Sequence, residues 1–330
     1  MSEDNVVKVI NLRKWFPIRR GFFQALLSRK ELFVRAVDGI SFDVRRREVF
    51  CLAGESGSGK TTTGRLVIRV IDPTSGQIFF KGKNITSLTR KDIKPLRKKM
   101  QMVFQDPYES LNPRRTVRDI IAEGLRIQNI VNGEKEVEEN VTKILEDVKL
   151  VPPTEFLLRY PHELSGGQRQ RVAVARTFIL NPEFVVADEP ISMLDVSIRA
   201  EILNLFLDLV EKLDVSILYI THDLATARHM CHRIAVMYLG KIMEIGTSEQ
   251  IVYEHLHPYT KALISAVPVP DPKSRRTKLI VKGEIPSPIN PPSGCRFHTR
   301  CPVAGESCHQ KEPELVKIDN EHYVACHKAI

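Results

Sequence analysis

The apolar run Val49-Phe50-Cys51-Leu52-Ala53, followed at once by Gly54-Glu55-Ser56-Gly57-Ser58-Gly59-Lys60-Thr61, leaves few folds open to this chain. Consecutive apolar residues ending at a turn signal read as a strand buried on both faces. A glycine-rich turn ending in Lys-Thr fits the phosphate-binding loop. Its glycines let backbone N–H groups turn onto phosphate oxygens, and the helix that follows adds its positive dipole end. A chance glycine-rich turn is the alternative, and a strand before with a helix after argues against it. Gly54, Ser56, Gly57, Gly59, Lys60, Thr61 and Thr62 form the expected phosphate set. Lys60 would reach the β- and γ-phosphates, and the Thr61 hydroxyl would bind Mg²⁺.

Further strands are expected at 78–80, 184–187, 217–220, 234–238 and 242–245. Between them, Val137, Val141, Ile144, Leu145 and Val148 share one helical face, as do Ile198, Ile202, Leu205, Phe206, Leu209 and Leu213. Strands alternating with helices argue an α/β core with a mostly parallel sheet. Strand signals vanish from about 97 to 180, which suggests an inserted helical subdomain, jointed at Gln105-Asp106-Pro107 and Asn181-Pro182. After Gly246 the chain turns proline-rich, at 267–272 and 286–292, and reads as extended, loop-like chain without its own core. The expected division is a nucleotide-binding domain over 1–250 and a C-terminal extension over 251–330.

Phe184-Val185-Val186-Ala187-Asp188-Glu189 delivers two carboxylates at the C-terminal end of a strand, where α/β sheets place ligands. Asp188 would hold the Mg²⁺ shell, and Glu189 would polarise the attacking water as general base. Gln105, after the apolar run Met102-Val103-Phe104, can ligate Mg²⁺ or orient water through its amide oxygen. His222 follows a strand and could contact the γ-phosphate. Leu164-Ser165-Gly166-Gly167-Gln168, leading into Arg169-Gln170-Arg171, reads as a second phosphate-reading surface.

In type, order and approximate spacing these elements, with Ser192-Met193-Leu194-Asp195, resemble the ATP-binding cassette (ABC) family. The resemblance implies an α/β P-loop NTPase (RecA-like) core with an antiparallel β part, an inserted α-helical subdomain and here a small cysteine-containing C-terminal extension. It implies a head-to-tail dimer gripping ATP from both sides. Ser165, Gly167 and the neighbouring Gln168 would read the γ-phosphate bound by the partner, and Asp195 would lie at the dimer seam. Phe16 would stack on adenine, with Trp15 and Phe33 as rivals. The family usually has a small residue where Met193 stands, and glycine where Arg47 precedes Glu48.

The tail narrows the resemblance. His257-Pro258-Tyr259-Thr260-Lys261-Ala262-Leu263, Gly283-Glu284-Ile285-Pro286-Ser287-Pro288 and Pro291-Pro292-Ser293-Gly294-Cys295-Arg296-Phe297-His298 are similar to the C-terminal extension of oligopeptide/dipeptide importer ATPases. Val103-Phe104-Gln105-Asp106-Pro107-Tyr108, Ser110-Leu111-Asn112-Pro113 and Asp188-Glu189-Pro190-Ile191-Ser192 favour the F-type member of their ATPase pair. Implied partners are a related D-type ATPase subunit, two transmembrane permease subunits and an extracytoplasmic solute-binding protein. A permease loop helix would dock near residues 105–115. Residues 20–33, with Phe22, Phe23, Leu26 and Leu27 at helical spacing, are expected to pack on their own domain; lying against lipid headgroups or permease is the alternative.

Composition excludes other classes. No run approaches the ~18 apolar residues of a membrane span, and Met1-Ser2-Glu3-Asp4-Asn5 has no signal-peptide character. The chain itself is therefore expected to be cytosolic, and the importer resemblance implies a peripheral subunit at the cytoplasmic face of the cell membrane. Lys and Arg number 49 against 40 Asp and Glu, a net charge of +9. The cations are dispersed and not interleaved with stacking aromatics, so no nucleic-acid site is expected. Cys295, Cys301, Cys308 and Cys326 are separated by five, six and seventeen residues. These gaps are wider than zinc pairs usually show. Four thiolates suit a [4Fe–4S] cluster, which related importer ATPases carry; Zn²⁺ is the alternative, and free or disulfide-bonded thiols the third. Two rival functions remain: a soluble ABC ATPase acting on nucleic acid or ribosomes, and an exporter ATPase, against which the tail argues.

Overall fold

A computed structural model of the chain describes residues 4–18, 31–267 and 283–329. Its strands are β1 (Asn5–Pro17), β2 (Phe33–Arg45), β3 (Val49–Ala53), β4 (Ser75–Phe80), β5 (Lys83–Asn84), β6 (Met100–Val103), β7 (Phe184–Asp188), β8 (Ser216–Thr221), β9 (Arg233–Tyr238), β10 (Lys241–Thr247), β11 (Val316–Asp319) and β12 (His322–Val324). The longer helices are α1 (Lys60–Val67), α2 (Val117–Ile127), α3 (Glu134–Asp147), α4 (Gly166–Phe178), α5 (Val196–Leu213) and α6 (Pro258–Ala266). The chain divides into a helical unit, Met1–Val6, Val44–Val49 and Ser87–Tyr219, and a sheet unit, Val7–Asp43, Phe50–Thr86 and Ile220–Ile330.

In the helical unit, β6 runs parallel to β7 with Met100 opposite Phe184 and Val103 opposite Ala187. The expectation of no strand between 97 and 180 is corrected here. Four residues with two methionines carry little β-branched signal, and only pairing with the fully buried β7 draws them into a sheet. The helical faces stand as expected. Val137, Val141, Ile144 and Leu145 of α3 are buried, with Val148 just past its end. In α5, Ile202, Leu205, Phe206 and Leu209 are buried while Ile198 and Leu213 are half-buried near its ends. Phe206 meets Phe178 of α4 edge-on at 6.2 Å between ring centres. Arg47 takes φ +58°, a left-handed conformation that suits glycine. Its side chain pairs with Asp214, and its N–H donates to Ser216 Oγ at 3.0 Å.

The sheet unit holds two sheets. The first, in order β2-β1-β4-β5, is antiparallel at β1/β4, with Val7 opposite Phe80 and Val9 opposite Ile78. The second carries the run β11-β12-β10-β9-β3. All of β3 is buried and parallel to β9, so the unbroken apolar sequence reflects cover on both faces. β8 is the strand in which the division falls, with 216–219 counted to the helical unit.

The proline-rich stretch 286–292 carries no helix or strand, as expected, but the chain beyond it adds two strands. β12 pairs antiparallel with β10, Glu244 opposite Val324, and β11 pairs with β12. No long apolar run announces these short strands; β10 supplies the edge they join. Residues 19–30 and 268–282 lie outside the described residues, and with them most of the 20–33 and 267–272 expectations.

A buried polar knot fastens the tail. Glu244, fully buried, accepts N–H groups from Leu256 at 2.7 Å and His257 at 3.0 Å, and lies 2.8 Å from His322 Nε2. Burial alone would raise its carboxyl pKa, yet the His322, Thr260 and backbone hydrogen bonds hold it below the usual carboxylate value. His257 Nδ1 accepts the N–H of Tyr259 at 3.0 Å, capping α6. Burial of His257 lowers its pKa from 6.5 to about 4, against the opposing pull of Glu244.

An unfolded histidine binds a proton near pH 6.5 and this folded one only near 4. Stability should therefore be present above pH 6.5 and decline as pH falls through that window, by up to roughly 1.4 kcal/mol per pH unit. In His257→Asn, whose amide oxygen keeps the cap, the slope of urea-unfolding free energy against pH should flatten there. An unchanged slope would remove His257 as its source.

Candidate functional site

The phosphate-loop residues stand at the C-terminal end of β3. Gly54, Gly57 and Gly59 have φ of +149°, +77° and +102°, so each sits where L side chains are strained. Space is as restrictive as dihedral angle at two of them. A Cβ on Gly54 would lie 2.2 Å from the Met237 carbonyl oxygen, and one on Gly59 2.1 Å from that of Ala36. The loop turns straight into α1, whose first turn carries no acidic residue to compete for its N-terminal N–H groups.

Lys60 is 4% exposed, and its Nζ donates to the carbonyl oxygens of Gly54 at 2.8 Å and Glu55 at 2.9 Å. The ammonium is thus held on the loop's own backbone. Ser56 and Gly57 are exposed, while Thr61 and Thr62 are half-buried on the first turn of α1. In the same unit Trp15 is occupied: its Nε1 donates to Asp38 Oδ1 at 3.0 Å, and the Arg35 guanidinium lies 4.6 Å from its ring centre. Phe33 packs against Trp15 at 6.2 Å. Phe16 is the exposed ring of the three, with Lys14 Nζ 5.0 Å from its centre. His222 is exposed, one residue past β8.

In the helical unit the β6/β7 register brings Gln105 and Asp188-Glu189 to the same C-terminal edge. Gln105 is exposed, Asp188 is 2% exposed and Glu189 is half-buried. Glu189 takes φ +44°, a costly conformation for a glutamate and a common mark of functional positions. Its carbonyl accepts both the N–H (3.1 Å) and the hydroxyl (3.0 Å) of Ser192, which fix the turn.

Ser165 is the N-cap of α4. Its Oγ accepts the N–H of Gln168 at 3.3 Å, and Gln168 Oε1 accepts the Ser165 N–H at 3.0 Å. The Ser165 hydroxyl hydrogen is left to donate elsewhere. Gly167 is buried, and a Cβ there would meet Ile198 Cγ2 at 2.8 Å. Asp195 is exposed at the N-cap of α5 and makes no side-chain cap bond; beside it Met193 and Val196 are 58% and 79% exposed. Over residues 105–115, Asp106 caps a short helix through the Tyr108 N–H at 2.7 Å, and exposed Tyr108 has Arg169 4.3 Å from its ring centre.

The four tail cysteines form no disulfide; Cys295, Cys308 and Cys326 are buried and Cys301 is half-buried. Burial, with the charge of the other three beside it, pushes Cys295 up to about 11. Cys301 is raised for the same reasons. Among the described residues no group of three or more His, Cys, Asp or Glu is drawn together closely enough to hold a metal ion. Sequence reading passed over Glu55, Asp38, Tyr259, Arg296 and Arg300, which join the tail to the phosphate loop and its flank. Contacts spanning more than two hundred residues leave no local signal.

Two family patterns match the chain: the ABC transporter pattern over residues 37–192, and the oligopeptide/dipeptide transporter C-terminal region over 243–308. The oligopeptide transport ATP-binding protein AppF of Bacillus subtilis is 47% identical over 99% of this chain and 98% of its own. A putative peptide import ATP-binding protein of Brucella ovis is 50% identical over the same shares. Among solved structures, the ATP-binding cassette MJ0796, a dimer in a post-hydrolysis state with ADP and Pi, superposes with TM-score 0.64 at 25% identity. It covers 73% of this chain and 98% of that one.

The crowding at Gly59 gives a measurable expectation. Gly59→Ala should lower stability by roughly 1–3 kcal/mol, seen as an earlier urea midpoint. An unmoved midpoint would mean that the loop accepts a side chain without strain.

Proposed function

This chain belongs to the ABC transporter family, among its oligopeptide and peptide import ATP-binding proteins, and from that premise we propose that it powers import of oligopeptides or dipeptides, or of oligosaccharides, by hydrolysing ATP at the cytoplasmic face of a permease. The carrying observation is the loop at residues 54–59, shaped by left-handed glycines at a helix N-terminus, with Lys60 held on its carbonyls. Triphosphate would exchange for those carbonyl contacts at Lys60 and take hydrogen bonds from the loop N–H groups.

The assigned roles follow chemistry and environment. Gly54, Ser56, Gly57, Gly59, Lys60, Thr61 and Thr62 bind phosphate. Phe16, the exposed ring, stacks on adenine. The Thr61, Asp188 and Gln105 oxygens are the donors a hard cation prefers, and Mg²⁺ held by them would neutralise phosphate charge. Glu189 activates water as general base, and its strained backbone supports that choice. His222 contacts the γ-phosphate. Ser165, Gly167 and Gln168 read the nucleotide of a partner ATPase, a related D-type subunit, and Asp195 sits at that seam. The exposed Met193 and Val196 support a covered surface there. Dimer closure on ATP and reopening after hydrolysis form the two-state element.

A loop helix of one of the two permease subunits docks near residues 105–115, where Tyr108 is exposed, and an extracytoplasmic binding protein delivers the solute. No described helix is long and apolar enough to cross a membrane, which fits a peripheral subunit. Two separate family matches support a division into a nucleotide-binding domain over 1–250 and an extension over 251–330, and the helices α2, α3 and α4 support a helical subdomain at about 97–180.

For Cys295, Cys301, Cys308 and Cys326 we keep the [4Fe–4S] cluster ahead of Zn²⁺. Four cysteines in one short tail, three of them buried, support the donor set, although the side chains are not drawn into a ready ligand group. Bound metal would supply the positive charge that stabilises thiolates here, and no step of ATP hydrolysis passes through it.

Glu189→Gln should bind ATP as the parent does, slow hydrolysis by about 10²–10⁴-fold and accumulate closed dimers; normal turnover would contradict its role as base. Anaerobically purified protein should be brown and contain iron. A colourless protein with zinc would replace the cluster by Zn²⁺, and one with neither metal would leave free thiols.

A further inference from the structure

Within the sheet unit, the cysteine-bearing tail reaches the phosphate loop directly. Phe297 anchors it: the ring is fully buried, 5.3 Å from Tyr238, 5.2 Å from Tyr259 and 5.8 Å from His257 between centres. An arginine stands on either side. Arg296 donates to Asp38 Oδ2 at 2.5 Å, and the same carboxylate holds Trp15. Arg300 forks onto Glu55, Nη1 to Oε2 at 2.7 Å and Nη2 to Oε1 at 3.2 Å. Its side chain is 11% exposed and that of Glu55 28%, so water screens the pair only in part. Two parallel N–H···O bonds fix orientation as well as distance.

Glu55 is the second residue of the loop and its single acid. Its N–H donates to Tyr259 Oη at 2.9 Å, and its carbonyl accepts from Lys60 Nζ at 2.9 Å. Donor, acceptor and carboxylate of this one residue are thus all engaged, two of the three by the region beyond residue 257. We propose that Arg300 is a positioning residue for nucleotide binding: acting through Glu55, it braces the phosphate loop and neutralises the carboxylate that would otherwise repel the incoming phosphates. This rests on the reading of the loop as the ATP site.

The physical case has two parts. Glycines at positions 54, 57 and 59 give the loop its shape, but they also give it the most freedom to lose when phosphate binds. An external brace removes that freedom beforehand, which favours binding. A free Glu55 carboxylate beside a triphosphate would oppose binding through like-charge repulsion. Neither effect touches the hydrolytic step, because Arg300 donates to Glu55 and to Tyr238 Oη and to none of the groups assigned to hydrolysis. Arg300 should therefore govern affinity and KM and leave kcat alone. Through it, the order of the tail is expressed as ATP affinity at the other end of the sequence.

The test uses the full chain, titrated with a fluorescent ATP analogue and assayed for ATP hydrolysis. Arg300→Ala should weaken binding and raise KM about tenfold, the equivalent of about 1.4 kcal/mol, with kcat within about twofold. Arg300→Lys, which restores charge without the fork, should fall between. In a Glu55→Gln background the loss from Arg300→Ala should shrink below about threefold, because coupled residues are not additive. Parental affinity in folded Arg300→Ala, or an undiminished tenfold loss in the Glu55→Gln background, overturns the proposal. If Arg300→Ala does not fold, Arg300→Lys with and without Glu55→Gln carries the same comparison. Lys60→Ala separates the two readings: if it too binds ATP as the parent does, the ATP-site assignment itself fails.

Discussion

Backbone pressed against backbone, with no room for a methyl group between, is the constraint from which the sheet unit follows. Gly54 lies against the Met237 carbonyl and Gly59 against that of Ala36, each too close for any Cβ. These approaches set the loop on β9 and β2, and β3 and β9 are buried at every residue. β3, a parallel strand covered on both faces, delivers the loop to that position. The buried Lys60, the start of α1 and the tail contacts all take their positions from it.

What could be read in advance divides along physical lines. β3, β7, β8 and β9 announce themselves because burial on both faces demands unbroken apolar sequence. The α3 and α5 faces are visible because one-sided burial imprints a helical period. β6 is four residues borrowed from its neighbour's pairing, and β11 and β12 depend on the edge of β10. β1 hides its alternation behind an irregular register between Ile10 and Arg13, next to Asn11 at φ +47°. Asp188, Glu189, Gln105 and residues 164–168 stand out in the sequence because phosphate chemistry restricts residue type and order, and the β6/β7 register sets Gln105 beside Asp188-Glu189. The Arg300–Glu55 fork was not: any arginine and any glutamate could have met, and only the fold says which do.

Strain and polar burial are distributed with a purpose. Glu189 and Arg47 both occupy left-handed backbone, but the first ends a strand that delivers carboxylates and the second closes a turn tied to Asp214 and Ser216. Hydrogen bonds over-determine each, which is how such conformations persist. The Glu244 knot works in the same way: its partners come from two stretches of tail, one at residues 256–260 and one at His322, so the carboxylate is satisfied only when both are in place together.

The two short strands of the tail also decide where the second sheet stops. β10 is seven residues long with five buried between its ends; left unpaired, it would offer a long apolar border to any other chain. β12 closes that border, and the frontier passes to β11, four residues largely exposed and carrying Lys317 and Asp319. Brevity and charge make it a poor template for further growth. The tail thereby acts as a hem, and keeping separate copies from fusing along their sheets is built into the same segment that touches the phosphate loop.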